Sequence, residues 1–230
     1  MALYVIGDTH LSFGTDKTMD VFGGGWEGYT EKLRRGFAVL GEGDTLVIAG
    51  DISWGMRLPE SLPDFEFLNS FPGNKILVRG NHDYWWESIS KMRTYFETNG
   101  LRNFDFLQNS SITYNDIALC GTRGWSFEEN AEDMTSEDRK IFLRELGRLE
   151  LSLQAAGDKE IYVFLHYPPV CRDYFCEEIT ALFEKYKVSR CYYGHIHGDI
   201  GHWSFEGDHK GVSYALVAAD RLEFTPKLIG

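Results

Sequence analysis

Positive charge is scarce in this sequence: 23 Lys and Arg stand against 35 Asp and Glu, a formal net charge of -12. That balance argues against nonspecific attachment to nucleic acid or to an anionic membrane, and leaves room only for a local basic patch. No apolar run approaches the length of a membrane span. The opening stretch Met1-Ala2-Leu3-Tyr4-Val5-Ile6 reaches Gly7-Asp8 too soon for a signal peptide, and no basic segment precedes it. Cysteine is sparse as well: there are four, with no Cys-x-x-Cys pair. Cys120 and Cys191 fall inside strand-like runs and read as buried reduced thiols; Cys171 and Cys176 alone are too few for a thiolate metal site. Internal repeats, low-complexity tracts and linkers are missing. A cytoplasmic protein with no membrane partner is the expectation. Its 230 residues, 43% hydrophobic, suffice for one substantial core in one domain spanning 1–230.

What is present is a series of short apolar runs, each closing on polar residues. Leu3 to Ile6 leads to Gly7-Asp8-Thr9-His10. Residues 11 to 29 are irregular; their Gly23-Gly24-Gly25 lacks the Gly-Lys-Ser/Thr of a phosphate-cradling loop and suggests a mobile loop or lid beside His10. Thr30 is placed to cap a helix carrying Leu33, Phe37 and Leu40, stopped by Gly41 and Gly43. Asp44 to Ala49 reads as a buried strand ending in Gly50-Asp51. A helix is expected within Glu60 to Phe71, its start limited by Pro63. Lys75 to Val78 leads to Gly80-Asn81-His82-Asp83, and a helical pattern runs from about Trp85 to Phe96, whose two tryptophans read as packing residues.

Ile112 to Tyr114 and Ile117 to Cys120, split by Asn115-Asp116, suggest a hairpin. Residues 124 to 138 are irregular, and the acidic Glu128 to Asp133 reads as a solvated loop. Thr135 with Asp138 resembles a capping box before the core stripe Phe142, Leu146, Leu149 and Leu153. Ile161 to Leu165 ends in His166. A helix from Glu177 to Tyr186 precedes Arg190 to Tyr193, which ends in Gly194-His195-Ile196-His197. Tyr214 to Val217 and Leu222 to Leu228 read as two last strands. His202 and His209 belong to no motif and are expected in solvent.

Five runs therefore end in ligand-type residues: Asp8 with His10, Asp51, Asn81 with His82, His166, and His195 with His197. Five of the seven histidines lie in these segments. Any one of them alone reads as a hydrogen-bonded structural residue; the ordered set does not. Open α/β sheets gather ligands outside the carboxyl ends of their strands. Carboxylates, one amide oxygen and several imidazoles make an O/N shell without thiolate, suited to Mn, Fe, Zn, Co or Ni. Seven candidate ligands exceed one tetrahedral site, and two cations sharing a carboxylate would use them all. Paired ions serve displacement at phosphorus, and a remaining imidazole can protonate the leaving alkoxide.

The ordered series Asp8-x-His10, Gly50-Asp51, Gly80-Asn81-His82-Asp83, His166 and Gly194-His195-x-His197 resembles the calcineurin-like metallophosphoesterase superfamily. The resemblance implies an α/β (α+β) fold in which two packed mixed sheets are flanked by helices, a four-layer αββα sandwich. It further implies that Asp8, His10 and His197 hold one metal and Asn81, His166 and His195 the other, with Asp51 bridging two divalent or trivalent transition-metal ions. His82 would be the general acid, and Asp83 would support it or the local turn. The implied reaction is hydrolysis of a phosphomonoester or phosphodiester by metal-bound hydroxide.

The sequence departs from the phosphoprotein-phosphatase branch, whose Gly-Asp motif continues to a further Asp and an Arg. Here Asp51 is followed by Ile52-Ser53-Trp54-Gly55, which disfavours a protein serine/threonine phosphatase. A small soluble phosphorylated substrate is expected, because insertions are short and the charge opposes polyanions such as nucleic acid. Trp54, Trp125 and Tyr167 are candidates for stacking on a base or aryl group, with packing as the competing reading. Arg57, Arg123 and Arg172 are candidate phosphate contacts, read one by one as surface residues. The alternative is a non-catalytic scaffold or interaction protein, which predicts losses among the ligands; none is seen.

Overall fold

The structure, a computed structural model, describes residues 1–125, 135–172, 174–198 and 203–230. Along the chain run β1 (Leu3–Ile6), α1 (Tyr29–Gly36), β2 (Thr45–Ala49), α2 (Leu58–Asn69), β3 (Asn74–Val78), α3 (Ile89–Thr98), β4 (Phe104–Phe106), β5 (Ser111–Tyr114) and β6 (Ile117–Thr122). They are followed by α4 (Ser136–Gln154), β7 (Glu160–Leu165), β8 (Val170–Cys171), β9 (Tyr174–Phe175), α5 (Glu177–Tyr186), β10 (Val188–Tyr193), β11 (Gly207–His209), β12 (Val212–Leu216) and β13 (Lys227–Leu228).

Two sheets carry the architecture, in the orders β13-β1-β2-β3-β4 and β11-β12-β10-β7-β6-β5. The inner neighbours are parallel, as is the edge strand β4 on β3, and the other three edges are antiparallel: β13 on β1, β11 on β12, β5 on β6. Side chains alternate across a strand, so every buried strand supplies two apolar faces. Val47 and Ala49 of β2 meet Leu119, Phe164 and Tyr192 between the sheets. Leu46 and Ile48 point the other way, into a layer with Leu33, Phe65 and Phe96 of α1, α2 and α3. Val163 and Leu165 of β7 pack outward on Phe142, Leu149 and Phe183 of α4 and α5. Three apolar layers separate helices, sheet, sheet and helices, which is the four-layer sandwich expected. The sheets join where Gly7 bridges to Ala218 and donates to the Val217 carbonyl at 2.6 Å.

Several elements begin or end where the sequence pattern did not put them. Thr30 does not cap α1; Gly28, with φ of 62°, precedes the helix, and Phe37 belongs to a following 3-10 turn. α2 starts at Leu58, before Glu60, and contains Pro63, which gives up one backbone N–H inside the helix. α3 begins only at Ile89, where the Ser88 hydroxyl accepts from the Lys91 N–H. Trp85 and Trp86 instead sit buried in the preceding loop. Residues 222–226 form no strand because Glu223 and Phe224 take left-handed φ of 48° and 59°; only Lys227–Leu228 pairs with β1. β4 was not read from the sequence.

The Thr135 cap, the α4 stripe, the hairpin and the four free cysteines agree with expectation. His209 is half-buried rather than in solvent, stacked on Phe175 at 3.8 Å. The loop at 11–29 lies beside His10, with Trp26 buried in the core. The acidic stretch Glu128 to Asp133 and His202 fall outside the described residues. Among the described residues no helix is long and apolar enough to cross a membrane.

Leu119 is fully buried between the sheets, whereas Leu151 of α4 is 53% exposed. Leu119→Ala is expected to cost about 2–5 kcal/mol in urea unfolding, and Leu151→Ala to stay within about 0.5 kcal/mol.

Candidate metal centre

Each parallel strand stops and hands its chain to a loop on the same edge of the sandwich. β1 delivers Asp8 and His10, β2 Asp51, β3 Asn81 to Asp83, β7 His166, and β10 His195 and His197. The loops turn so abruptly that Asp8, His10, Asp51 and His195 adopt positive φ of 58°, 45°, 49° and 75°. That conformation costs non-glycine residues about 1–3 kcal/mol each, and it is concentrated here on ligand-type side chains. The approach is close enough that glycine is required beside it. A methyl at Gly80 would overlap the Asp51 backbone nitrogen and carboxylate, and one at Gly50 would meet the His166 ring.

All seven residues read as ligands come together. Asp8, His10 and His197 offer ligand atoms within 4.8 Å of one another, as do Asp8, Asp51 and His166. His197 Nε2 lies 3.2 Å from Asp8 Oδ1 and 3.4 Å from His10 Nε2. Asp51 stands between two imidazoles, its Oδ2 3.7 Å from His10 Nε2 and its Oδ1 3.5 Å from His166 Nε2. Asn81 Oδ1 and His195 Nδ1 approach the same His166 nitrogen at 2.6 and 3.3 Å.

The donor set is one that a cation completes. His166 Nδ1 faces the Ala49 carbonyl at 3.2 Å, which fixes the proton there and turns the Nε2 lone pair toward the Asn81 and Asp51 oxygens. Electron pairs facing electron pairs repel unless positive charge lies among them. Burial, reinforced by neighbouring imidazoles, holds His10 and His166 well below the usual histidine value. Burial, reinforced by Asp83 and Asp8, pushes the Asp51 carboxyl up to about 9. For His197 burial acts downward, but the Asp8 charge and hydrogen bonds to Asp220 and Asp8 outweigh it and raise the ring to about 10. Inner imidazoles that resist protons, beside an Asp51 carboxyl whose charged form burial disfavours, suit a metal ion.

His82 stands outside both ligand groups, with its ring Nε2 3.9 Å from Asp51 Oδ2, its side chain 35% exposed, and its Nδ1 without a hydrogen-bond partner among the described residues. Asp83 does not reach that ring. Its Oδ1 accepts from the Ile52 N–H at 2.8 Å and the Trp85 indole at 3.0 Å, and its Oδ2 from the Gly80 N–H at 2.7 Å. These hydrogen bonds tie Asp83 to the turn that carries His82.

Trp54 lies 5.1 Å from His10 and 4.4 Å from His82, and Tyr167 lies 4.4 Å from His195. Trp125 packs on Tyr167 at 5.8 Å and beneath the Arg123 guanidinium at 4.7 Å. Arg123 is no surface residue: it pairs with buried Glu145 at 3.7 Å. Arg57 and Arg172 are exposed.

Asp220 escaped the sequence reading. Its Oδ1 meets His197 Nδ1 at 3.0 Å and its Oδ2 accepts from the Gly198 N–H at 2.8 Å. The signal was the same one that exposed the others, since Asp220 follows the end of β12.

The sequence model of the calcineurin-like phosphoesterases matches residues 1–199, and the chain belongs to that family. It is therefore a metal-dependent phosphoesterase by family, with this Asp/His cluster as its candidate metal site. A comparison with the sequences of curated proteins finds no match. Among solved structures the chain is similar to the phosphopantetheinyl hydrolase PptH from Mycobacterium tuberculosis, with a TM-score of 0.63 at 13% identity over 99% of this chain and 95% of that one. It is also similar to AQ665 from Aquifex aeolicus, a protein of unknown function, with a TM-score of 0.52 at 16% identity over 99% and 95% of the two chains. These likenesses show the fold.

Loss of a carboxylate behind a ligating imidazole weakens metal binding about 10- to 100-fold. Asp220→Asn is expected to lower Mn²⁺ affinity by that factor in calorimetric titration, with its circular dichroism unchanged.

Proposed function

We propose that residues 1–230 act as one domain, a cytoplasmic dinuclear phosphoesterase that hydrolyses a small phosphorylated substrate, either a monoester or a diester. The observation that carries this reading is Asp51, which turns one oxygen toward His10 and the other toward His166. A carboxylate opposed by an imidazole on each side is suited to be shared by two neighbouring cations. Asp8, His10 and His197 would hold one of them, and Asn81, His166 and His195 the other. Mn, Fe, Zn, Co or Ni fits this thiolate-free set. Ions paired in this way supply charge neutralisation at phosphoryl oxygens and a water acidified to near neutral pH.

The rest falls to the chain. His82 borders the ligands without joining them, which supports its assignment as the general acid that gives a proton to the departing oxygen. Its backbone N–H donates to Asp51 Oδ1 at 2.8 Å, and Trp54 packs against its ring at 4.4 Å, so the acid is held to the bridging carboxylate and screened from water on one side. A cavity of about 610 Å³ opens on His10, His82 and His197, a size typical of small-molecule sites. The net charge of -12 opposes polyanions.

Chelator-stripped protein is expected to lose turnover of p-nitrophenyl phosphate or bis-p-nitrophenyl phosphate, and added Mn²⁺ to restore it. Protein that binds no transition metal and gains neither activity with Mn²⁺ overturns the reading. His82→Ala is expected to keep its metal and to lower kcat by about 10²- to 10⁴-fold on an alkyl ester, with a smaller loss on a p-nitrophenyl ester that leaves without a proton. Equal rates for mutant and wild type on the alkyl ester would remove His82 from the acid role.

A further inference from the structure

The loop at 19–26 leaves two large apolar side chains in water: Val21 is 76% and Phe22 69% exposed. Phe22 makes no ring contact among the described residues, yet it lines the cavity of about 610 Å³ together with Trp26, Trp54, His10, His82 and His197. Exposed apolar surface beside a cavity marks a place where something is received. Two tryptophans in the same lining are packed on other rings. Trp26 is wedged edge-on between Tyr29 at 5.8 Å and Phe224 at 5.2 Å, and Trp54 lies 21° from parallel on the His10 ring. The aromatic members of this lining offer faces and edges to a π-system, while Asp220, Arg221 and the glycine backbones supply its polar part.

The cavity also has a direction. It opens on His82 and not on Asn81, His166 or His195. A phosphorus seated over the ligands would therefore send into it the substituent whose oxygen lies nearest the His82 ring. Arg221 lines it, and the exposed Lys17 holds its ammonium 5.6 Å over the Trp54 ring.

We propose that this cavity receives the leaving group of the ester, and that this group carries a flat aromatic ring, an aryl or nucleobase system, rather than a small alkyl chain or a sugar alone. The assignment rests on the phosphoesterase reading, with His82 as the acid. On cleavage the phosphorus–oxygen bond to the ring-bearing alcohol breaks, water supplies the new oxygen on phosphorus, and the proton from His82 neutralises the departing alkoxide. Phe22 then acts as a specificity residue, one face of a clamp closed by Trp54.

The test is calorimetric titration of the Mn²⁺-loaded full chain with 2-naphthylmethylphosphonate and with propylphosphonate, two analogues that cannot be cleaved. The naphthyl probe is expected to bind about tenfold more tightly, as stacking on aromatic side chains provides. Phe22→Ala, at an exposed position that the fold does not need, is expected to cut that preference by about fivefold. Equal affinities for the two probes, or a preference unchanged by Phe22→Ala, overturn the proposal. Turnover of the p-nitrophenyl reporters, measured in parallel, separates the two readings. Turnover without a ring preference sinks the cavity assignment alone. A ring preference in protein that binds metal but cleaves neither reporter sinks the leaving-group assignment together with the phosphoesterase reading.

Discussion

Asp8 and Asp51 are buried at the seam of two apolar sheets, and a carboxylate in such a place must be given partners or be neutralised. Each takes part of what it needs from the backbone of another loop. Asp8 accepts from the His195 N–H at 3.0 Å, so the end of β1 in one sheet is tied to the end of β10 in the other. Asp51 accepts from the His82 N–H, and Asp83 returns the tie by accepting from Ile52 and Gly80. These reciprocal latches use N–H groups that would otherwise be orphaned at strand ends. The carboxylate oxygens positioned in this way face the imidazoles of His10, His166 and His197.

The strain in the ligand loops follows from the same demand. Four ligand-type residues hold a left-handed backbone, and Gly50 and Gly80 give up side chains so that neighbouring loops can approach. Strained turns persist only where the surroundings over-determine them. Here the surroundings are two sheets joined at Gly7 and Ala218, with aromatic side chains filling the space behind the ligands. The site is thereby held to a fixed shape by elements that contribute no ligand.

His82 and Asp83 are neighbours in the chain and turn to different partners. The following Asp83 suggests a partner for the ring, because adjacent residues are easily imagined in contact. The chain turns between them, and Asp83 is spent on three backbone groups and the Trp85 indole. The ring of His82 rests instead on Trp54, at 4.4 Å. Trp54 makes the surroundings of this imidazole more apolar, and the two side chains line the same cavity.

The sequence by itself determined which side chains gather and on which edge of the sheets. Apolar runs of strand length, each followed by glycine or a sharp polar break, place their next residues at a carboxyl end, and this needs only local pattern. The four layers were implied by the resemblance that the ordered motif series carries, not by the pattern of any one strand. Tertiary structure alone decided where α3 begins, because Trp85 and Trp86 fit a helical spacing equally well until Asp83 holds their loop. It decided that residues 222–226 turn instead of pairing, through left-handed backbone at Glu223 and Phe224 that composition does not signal. It brought Asp220 behind His197 and Trp54 against His82, contacts spanning 23 and 28 positions in the chain. Local periodicity records which face a residue presents; only the closed sandwich decides what that face meets.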